Sequence, residues 1–156
     1  MKSIFFLLGF ILLSNGFKSQ QLSFSAKTGD SEMDLYLKDI NTKALADPEQ
    51  FKISASTSFN IGKTKIDLML TNMAPGDVYM ALQLASSTGK PVDEVVSAYT
   101  KNKGKGWGVI AKEMGIKPGS PEFHAMKKAM KNKKENGNSG NKGNSGGHGN
   151  GKGKKK

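Results

Sequence analysis

The chain has 156 residues with 24 lysines, no arginine, 13 acidic residues and no cysteine, and its formal net charge is +11. Lacking cysteine, it can form no disulfide, no thiol centre, no Cys-ligated zinc site and no lipid anchor at a leader cleavage site. From Lys101 onward there are fifteen Lys against Glu113, Glu122 and Glu135, and before it nine Lys against ten acids, so the two parts carry +12 and −1.

That split sets a near-neutral body against a polycationic end, a pattern that favours an anionic partner without naming it. Lysine is a hydrated point charge, whereas arginine is the fork that reads phosphate or guanine bidentately. All-lysine composition therefore suits non-specific polyanion attraction better than base readout. An AT-rich genome would produce the same bias with no functional meaning.

Residues 1–19 read as a signal peptide: Met1-Lys2-Ser3 is basic, Ile4–Leu13 is apolar, and small or polar residues follow. The apolar run is too short to span a bilayer, which takes about 20 residues. Cleavage is expected within 16–20, after Gly16 or after Ser19; the alternative is an uncleaved interfacial anchor. The expected location is periplasmic or extracellular, with no integral membrane segment after cleavage.

Residues 20–30 read as a flexible polar lead-in. A helix is expected over Ser31–Ala46, with Met33, Leu37, Ile40 and Ala44 at helical spacing and Asp30 as N-cap. Asp47-Pro48-Glu49-Gln50 is a second start signal, with Gln50 at the capping-box offset. After it, Phe51, Ile53, Ala55, Thr57 and Phe59 alternate as in a strand. The start signal argues for helix, and a lone strand has no partner in this chain, so we read 51–59 as helix.

Ile66, Leu68, Met69 and Leu70 make a short helix before a turn at Asn72–Gly76. Asp77–Ser87 is apolar on several sides, which predicts a central helix. Pro91 opens the next one, with Val92, Val95, Val96 and Tyr99 on its face and Asp93 and Glu94 in its first turn. Trp107, Ile110, Ala111 and Met114 form a further face, closed by Gly115 as left-handed C′ residue with Ile116 supplying the apolar contact. Ser120-Pro121-Glu122 starts the last helix, which carries Phe123, Met126 and Met130 and ends among lysines.

Residues 132–156 contain almost only Gly, Asn, Ser and Lys, so this basic tail buries nothing and is expected to be disordered. The expected architecture is all-α: one domain over 31–131, a small bundle of five or six short helices.

KGKGWGVIAKEMGIKPGS at Lys103–Ser120, with GDVYMALQLA at Gly76–Ala85 and PEFHAMK at Pro121–Lys127, resembles an uncharacterised family of small exported bacterial proteins. That family bears an NKGKGWGxIAKxxGIKPGSxEFHALK-type signature. The likeness covers about residues 51–131 and departs at Met114 and Met126, where leucine is usual, a swap that a core tolerates. It implies no assigned activity.

The stretch most suggestive of chemistry is Lys101, Lys103, Gly104, Lys105, Gly106, Trp107 and Gly108. Glycines spaced by two and opening a helix present backbone N–H groups to an anion, with three lysines around them. No Gly-Lys-Ser/Thr follows at the P-loop offset. The competing reading is structural, a tight bend with Trp107 anchored in the core.

Other constellations are thinner. Phe59-Asn60-Ile61 and Met114-Gly115-Ile116 resemble helix–turn–helix turns, which simple packing explains. His124 and His148 make no ligand set, so no metal and no cofactor is expected. Asp30, Glu32 and Asp34 imitate a calcium loop, but Leu35 stands in the glycine position and Asn41 in that of the closing Glu. No catalytic residue is assigned; an enzyme would need acids converging on a pocket near Trp107 or Tyr99.

The reading is therefore a non-enzymatic exported helical module that contacts a protein or a small anion. Its lysine-rich end would attract polysaccharide, lipopolysaccharide or extracellular nucleic acid. The alternative is a structural or assembly component of the cell envelope with a merely solubilising tail.

Overall fold

The computed structural model describes residues 23–138, with side chains through residue 132. The expected signal peptide and cleavage site, His148 and the tail beyond residue 138 lie outside the described residues. Within them the chain is all-helical: α1 (Ser31–Ala46), α2 (Pro48–Phe59), α3 (Lys63–Leu70), α4 (Pro75–Thr88), α5 (Val92–Lys101), α6 (Trp107–Glu113) and α7 (Pro121–Asn138). None of these helices is long and apolar enough to cross a membrane.

Among the described residues there are seven helices where five or six were expected, each arising from a stretch that the sequence marks, and Asp47 divides the first two as expected. Its N–H closes α1 on the Lys43 carbonyl at 2.9 Å. Its carboxylate then accepts from Gln50 N–H at 3.0 Å and opens α2, with Pro48 in the first turn. One residue at φ −140°, ψ 83° thus ends one helix and caps the next, a cap being typically ~1 kcal/mol. Gln50 does not complete a capping box; its amide donates to Ser54 Oγ at 3.1 Å.

The ambiguous 51–59 stretch is helical, and its burial follows a four-residue step. Phe51 and Ala55 are buried while Ile53 is exposed, so the alternation in sequence does not describe its faces. Asn60 ends α2 at φ 50°, with Ile61 N–H reaching back to the Ser56 carbonyl at 3.1 Å.

α4 is the central element, as its apolar circumference predicted. It packs against α1, α2, α3, α5 and α7, and every residue from Gly76 to Leu84 except part of the surface of Asp77 and Tyr79 is almost fully enclosed. It begins at Pro75, ahead of the expected Asp77, because Pro suits the first helical position. The expected turn is correspondingly shorter. Pro91 is likewise the N-cap of α5 and lies just outside the helix.

α6 ends as predicted. Gly115 at φ +98° donates to the Lys112 carbonyl at 3.1 Å, and Ile116 donates to the Ala111 carbonyl at 2.8 Å. This pair of bonds is a Schellman closure, and Ile116 is buried beside it. Ser120 Oγ accepts from Phe123 N–H at 3.2 Å and starts α7. That helix continues through Asn138, past the expected limit at 131.

The lead-in needs correction. From Ser23 to Asp30 it is a strap built into the fold, with Ala26 and Thr28 buried. Thr28 donates to Asp34 Oδ1 from its N–H at 2.8 Å and its hydroxyl at 2.7 Å. The Phe24 ring lies against Gly76, where a Cβ would come within 2.6 Å of it. Polarity suggested a loose segment, but Thr28 and Asp30 spend their polar groups on backbone and side-chain partners.

Candidate functional site

The Lys101–Gly108 segment leaves α5 and enters α6 through a loop stapled on both sides. Asn102 is buried; its Nδ2 donates to the Ala98 carbonyl at 3.0 Å and to Glu113 Oε2 at 2.7 Å. Lys101 Nζ reaches Glu113 Oε1 at 3.3 Å. These bonds hold the Glu113 carboxyl below the usual range, Asn102 contributing first and Lys101 second.

On the other side, Trp107 N–H donates to the Ala26 carbonyl at 2.8 Å, and Gly108 N–H donates to the Lys27 carbonyl at 3.0 Å. The strap thus satisfies orphan donors at the start of α6. It also explains two glycines. A Cβ on Gly106, which stands at φ +95°, would lie 2.5 Å from Lys27 Cβ, and one on Gly108 would lie 2.8 Å from the Thr28 carbonyl oxygen. The close approach belongs to the protein's own backbone.

This corrects the anion-cradle reading at its centre. The amides of Trp107 and Gly108 are already donating to the strap. Lys101 is paired with Glu113. Lys103 and Lys105 are exposed and in no ion pair among the described residues, and Gly104 stands in open space at φ +87°. The loop therefore presents two cations around a backbone whose helix-opening donors are engaged.

Beneath the loop lies an arrangement that sequence reasoning missed. The Trp107 indole is 1% exposed and donates from Nε1 to Asp77 Oδ1 at 2.7 Å. Tyr99 OH donates to Asp77 Oδ2 at 3.0 Å. The two rings stack at 5.3 Å between centroids with 25° between planes. Burial pushes the Asp77 carboxyl up, opposed by the Trp107 and Tyr99 bonds, by the Ala74 backbone N–H and by the charge of Lys103. Tyr99 is pushed up as well, by burial first and then by the Asp77 charge.

Asp77 is thus the acid that converges on Trp107 and Tyr99. Both of its oxygens are committed to donors, so it acts as an acceptor that holds α4, α5 and α6 together. A buried indole N–H requires a partner, and that requirement is the signal by which an acid could have been sought. In the sequence Asp77 stands only as the first residue of the expected central helix.

His124 is exposed on α7, edge-on to Phe123 at 6.0 Å between centroids, and among the described residues no cluster of His, Asp and Glu could hold a metal. Asp30, Glu32 and Asp34 are separately employed. Asp30 and Glu32 both hold Lys127 of α7 at 2.8 Å, and Asp34 serves Thr28. No protein-family model, curated protein or solved structure matches the chain.

Proposed function

We propose that the chain is an exported, non-enzymatic helical module held on anionic polymers by its basic C-terminal half. One observation carries this reading: how lysines are partnered on the two sides of Thr100. Before it, four of the seven described lysines are paired, Lys43 with Asp39, Lys52 with Glu49 and Asp67, Lys65 with Asp93, and Lys90 with Glu94, while Lys27, Lys38 and Lys63 are not.

After Thr100 the acids are few. Lys103, Lys105, Lys112, Lys117, Lys128 and Lys131 are all exposed and in no ion pair with another described residue. Charges without internal partners remain available to an external polyanion, and each contact formed releases a counterion. The basic surface is therefore partly carried by ordered helices, and its pull adds to that of the lysines beyond residue 138.

The test is salt elution from immobilised heparin, comparing the full chain with a truncation after Asn138 that leaves α7 whole. The expected result is strong retention that falls steeply with salt, with a substantial share surviving truncation. Elution of the full chain at the salt of a neutral control would overturn the reading.

A further inference from the structure

The strap and α1 enclose an open groove of about 690 Å³, within the roughly 300–1,000 Å³ range of small-molecule sites. Its walls include Phe24 and Lys27 from the strap, and Asp34, Lys38, Asn41 and Leu45 from α1. Serine and threonine hydroxyls complete the rim.

Asn41 is the informative residue. It is only 9% exposed, and its Oδ1 accepts from Gly76 N–H at 3.0 Å. A backbone N–H requires oxygen there, so the bond fixes which end of the amide is which. The Nδ2 donor has no acceptor among the described residues, yet it is not a sealed-off atom; the sole such atom among them is Gln83 Oε1. Asn41 is thus a nearly buried amide that lines the groove, oriented by Gly76 and carrying a donor that no described residue accepts.

The charges around it are also unspent. Lys27 and Lys38 are exposed and in no ion pair among the described residues. Lys27 stands at φ 45°, an uncommon conformation for a side-chain-bearing residue, held by the bond from Gly108 N–H to its carbonyl. Asp34 accepts twice at Oδ1 from Thr28, leaving Oδ2 as an acceptor on a residue that lines the same groove as the two lysines.

We propose that this groove binds one acidic sugar residue, a hexuronate unit of an acidic polysaccharide. The two lysines face its carboxylate, Asn41 Nδ2 donates to a ring or hydroxyl oxygen, and Asp34 Oδ2 accepts from a hydroxyl. Phe24 and Leu45 offer apolar surface to the C–H face of the ring. A bare phosphate suits the groove less well, because it offers no C–H face to Phe24 and Leu45 and is too small to reach the lysines, Asn41 and Asp34 together. This deepens the polyanion reading by naming the polymer class, and it assigns recognition of a unit to the groove while the lysines after Thr100 supply attraction.

The experiment is a nuclear magnetic resonance titration of the full chain with sodium galacturonate, galactose and inorganic phosphate in parallel. The expected result is a saturable shift of the Asn41 side-chain amide with galacturonate alone. Asn41→Asp keeps the acceptor for Gly76 and removes the donor, and should abolish saturation as read at the backbone amides of Lys38 and Thr42, which line the same groove. Lys38→Gln, at an exposed position, should weaken binding about five-fold. A thermal melt of each variant establishes that it is folded.

No saturable shift at Asn41, an equal response to phosphate, or unchanged binding by folded Lys38→Gln would overturn the proposal. Heparin retention separates the two readings. Loss of the groove's response with retention intact sinks the groove alone, and a groove response without retention sinks the polyanion tether alone.

Discussion

Trp107 Nε1–H and Asp77 Oδ1 meet at 2.7 Å across thirty positions of sequence, joining the start of α6 to the first turn of α4. The bond is buried, and Tyr99 supplies a second donor to the same carboxylate. The lysine- and glycine-rich loop above it is held in place from below by this acceptor and from the side by the strap.

Asp77→Ala should therefore destabilise the protein by about 2 kcal/mol, the scale of leaving a buried donor unsatisfied. Asp77→Asn retains an acceptor for the indole and should cost less. Urea unfolding followed by fluorescence reads this directly, because Trp107 is the only tryptophan. Equal midpoints for Asp77→Ala and the parent would show that the bond contributes nothing.

The acid response should have two opposed parts. Burial raises the Asp77 pKa above its ordinary 3.8. As pH falls through the raised value, the folded state takes up a proton before the unfolded state does, and stability is gained. Asp30 is held below 3.8, chiefly by its bond to Lys127, and Glu32 is held below 4.5 by the same lysine. Their contribution is present above those ordinary values and is lost as pH falls through the depressed ones. Lys127→Gln should flatten the loss in the most acidic range, and Asp77→Asn should remove the gain above it. Denaturant midpoints taken from pH 6 down to about pH 2 check both signs.

Gly106→Ala and Gly108→Ala should each be strongly destabilising, by roughly 2–4 kcal/mol, since a Cβ would overlap the strap backbone. Gly104→Ala meets nothing within 4 Å and should cost only about 1–2 kcal/mol for its left-handed backbone. Melting temperatures of the three variants rank them; a Gly104 variant as damaged as the other two would contradict the strap's role.

Replacing Lys103, Lys105, Lys112, Lys117, Lys128 and Lys131 by glutamine should lower the salt dependence of heparin binding without unfolding the domain. A per-contact loss near 0.9 in the slope of log K against log salt is the scale for duplex DNA, and a flexible polysaccharide should show a smaller one. An unchanged slope would assign all of the attraction to residues beyond 138.

Much of the local structure was legible before any fold was known. Asp30, Asp47, Ser120 and Gly115 behave as their residue types predict, since caps depend on neighbours within a turn. The site was less legible. Gly106 and Gly108 stood out as glycines, but their readiness to receive an anion looks the same in sequence as their readiness to receive a strand of the same chain.

By itself, then, the sequence determined helicity, the punctuation between helices and the placement of charge after Thr100, because each rests on residue type and short-range spacing. Tertiary structure alone decided that Ser23–Asp30 is a strap and that Trp107 and Gly108 spend their amides on it. It also decided that Asp77 holds Trp107 and Tyr99 and that Asn41, which lines a groove, keeps a donor that no described residue accepts. Each of these depends on which donor meets which acceptor across distant parts of the chain, and in a buried setting that pairing is settled by packing.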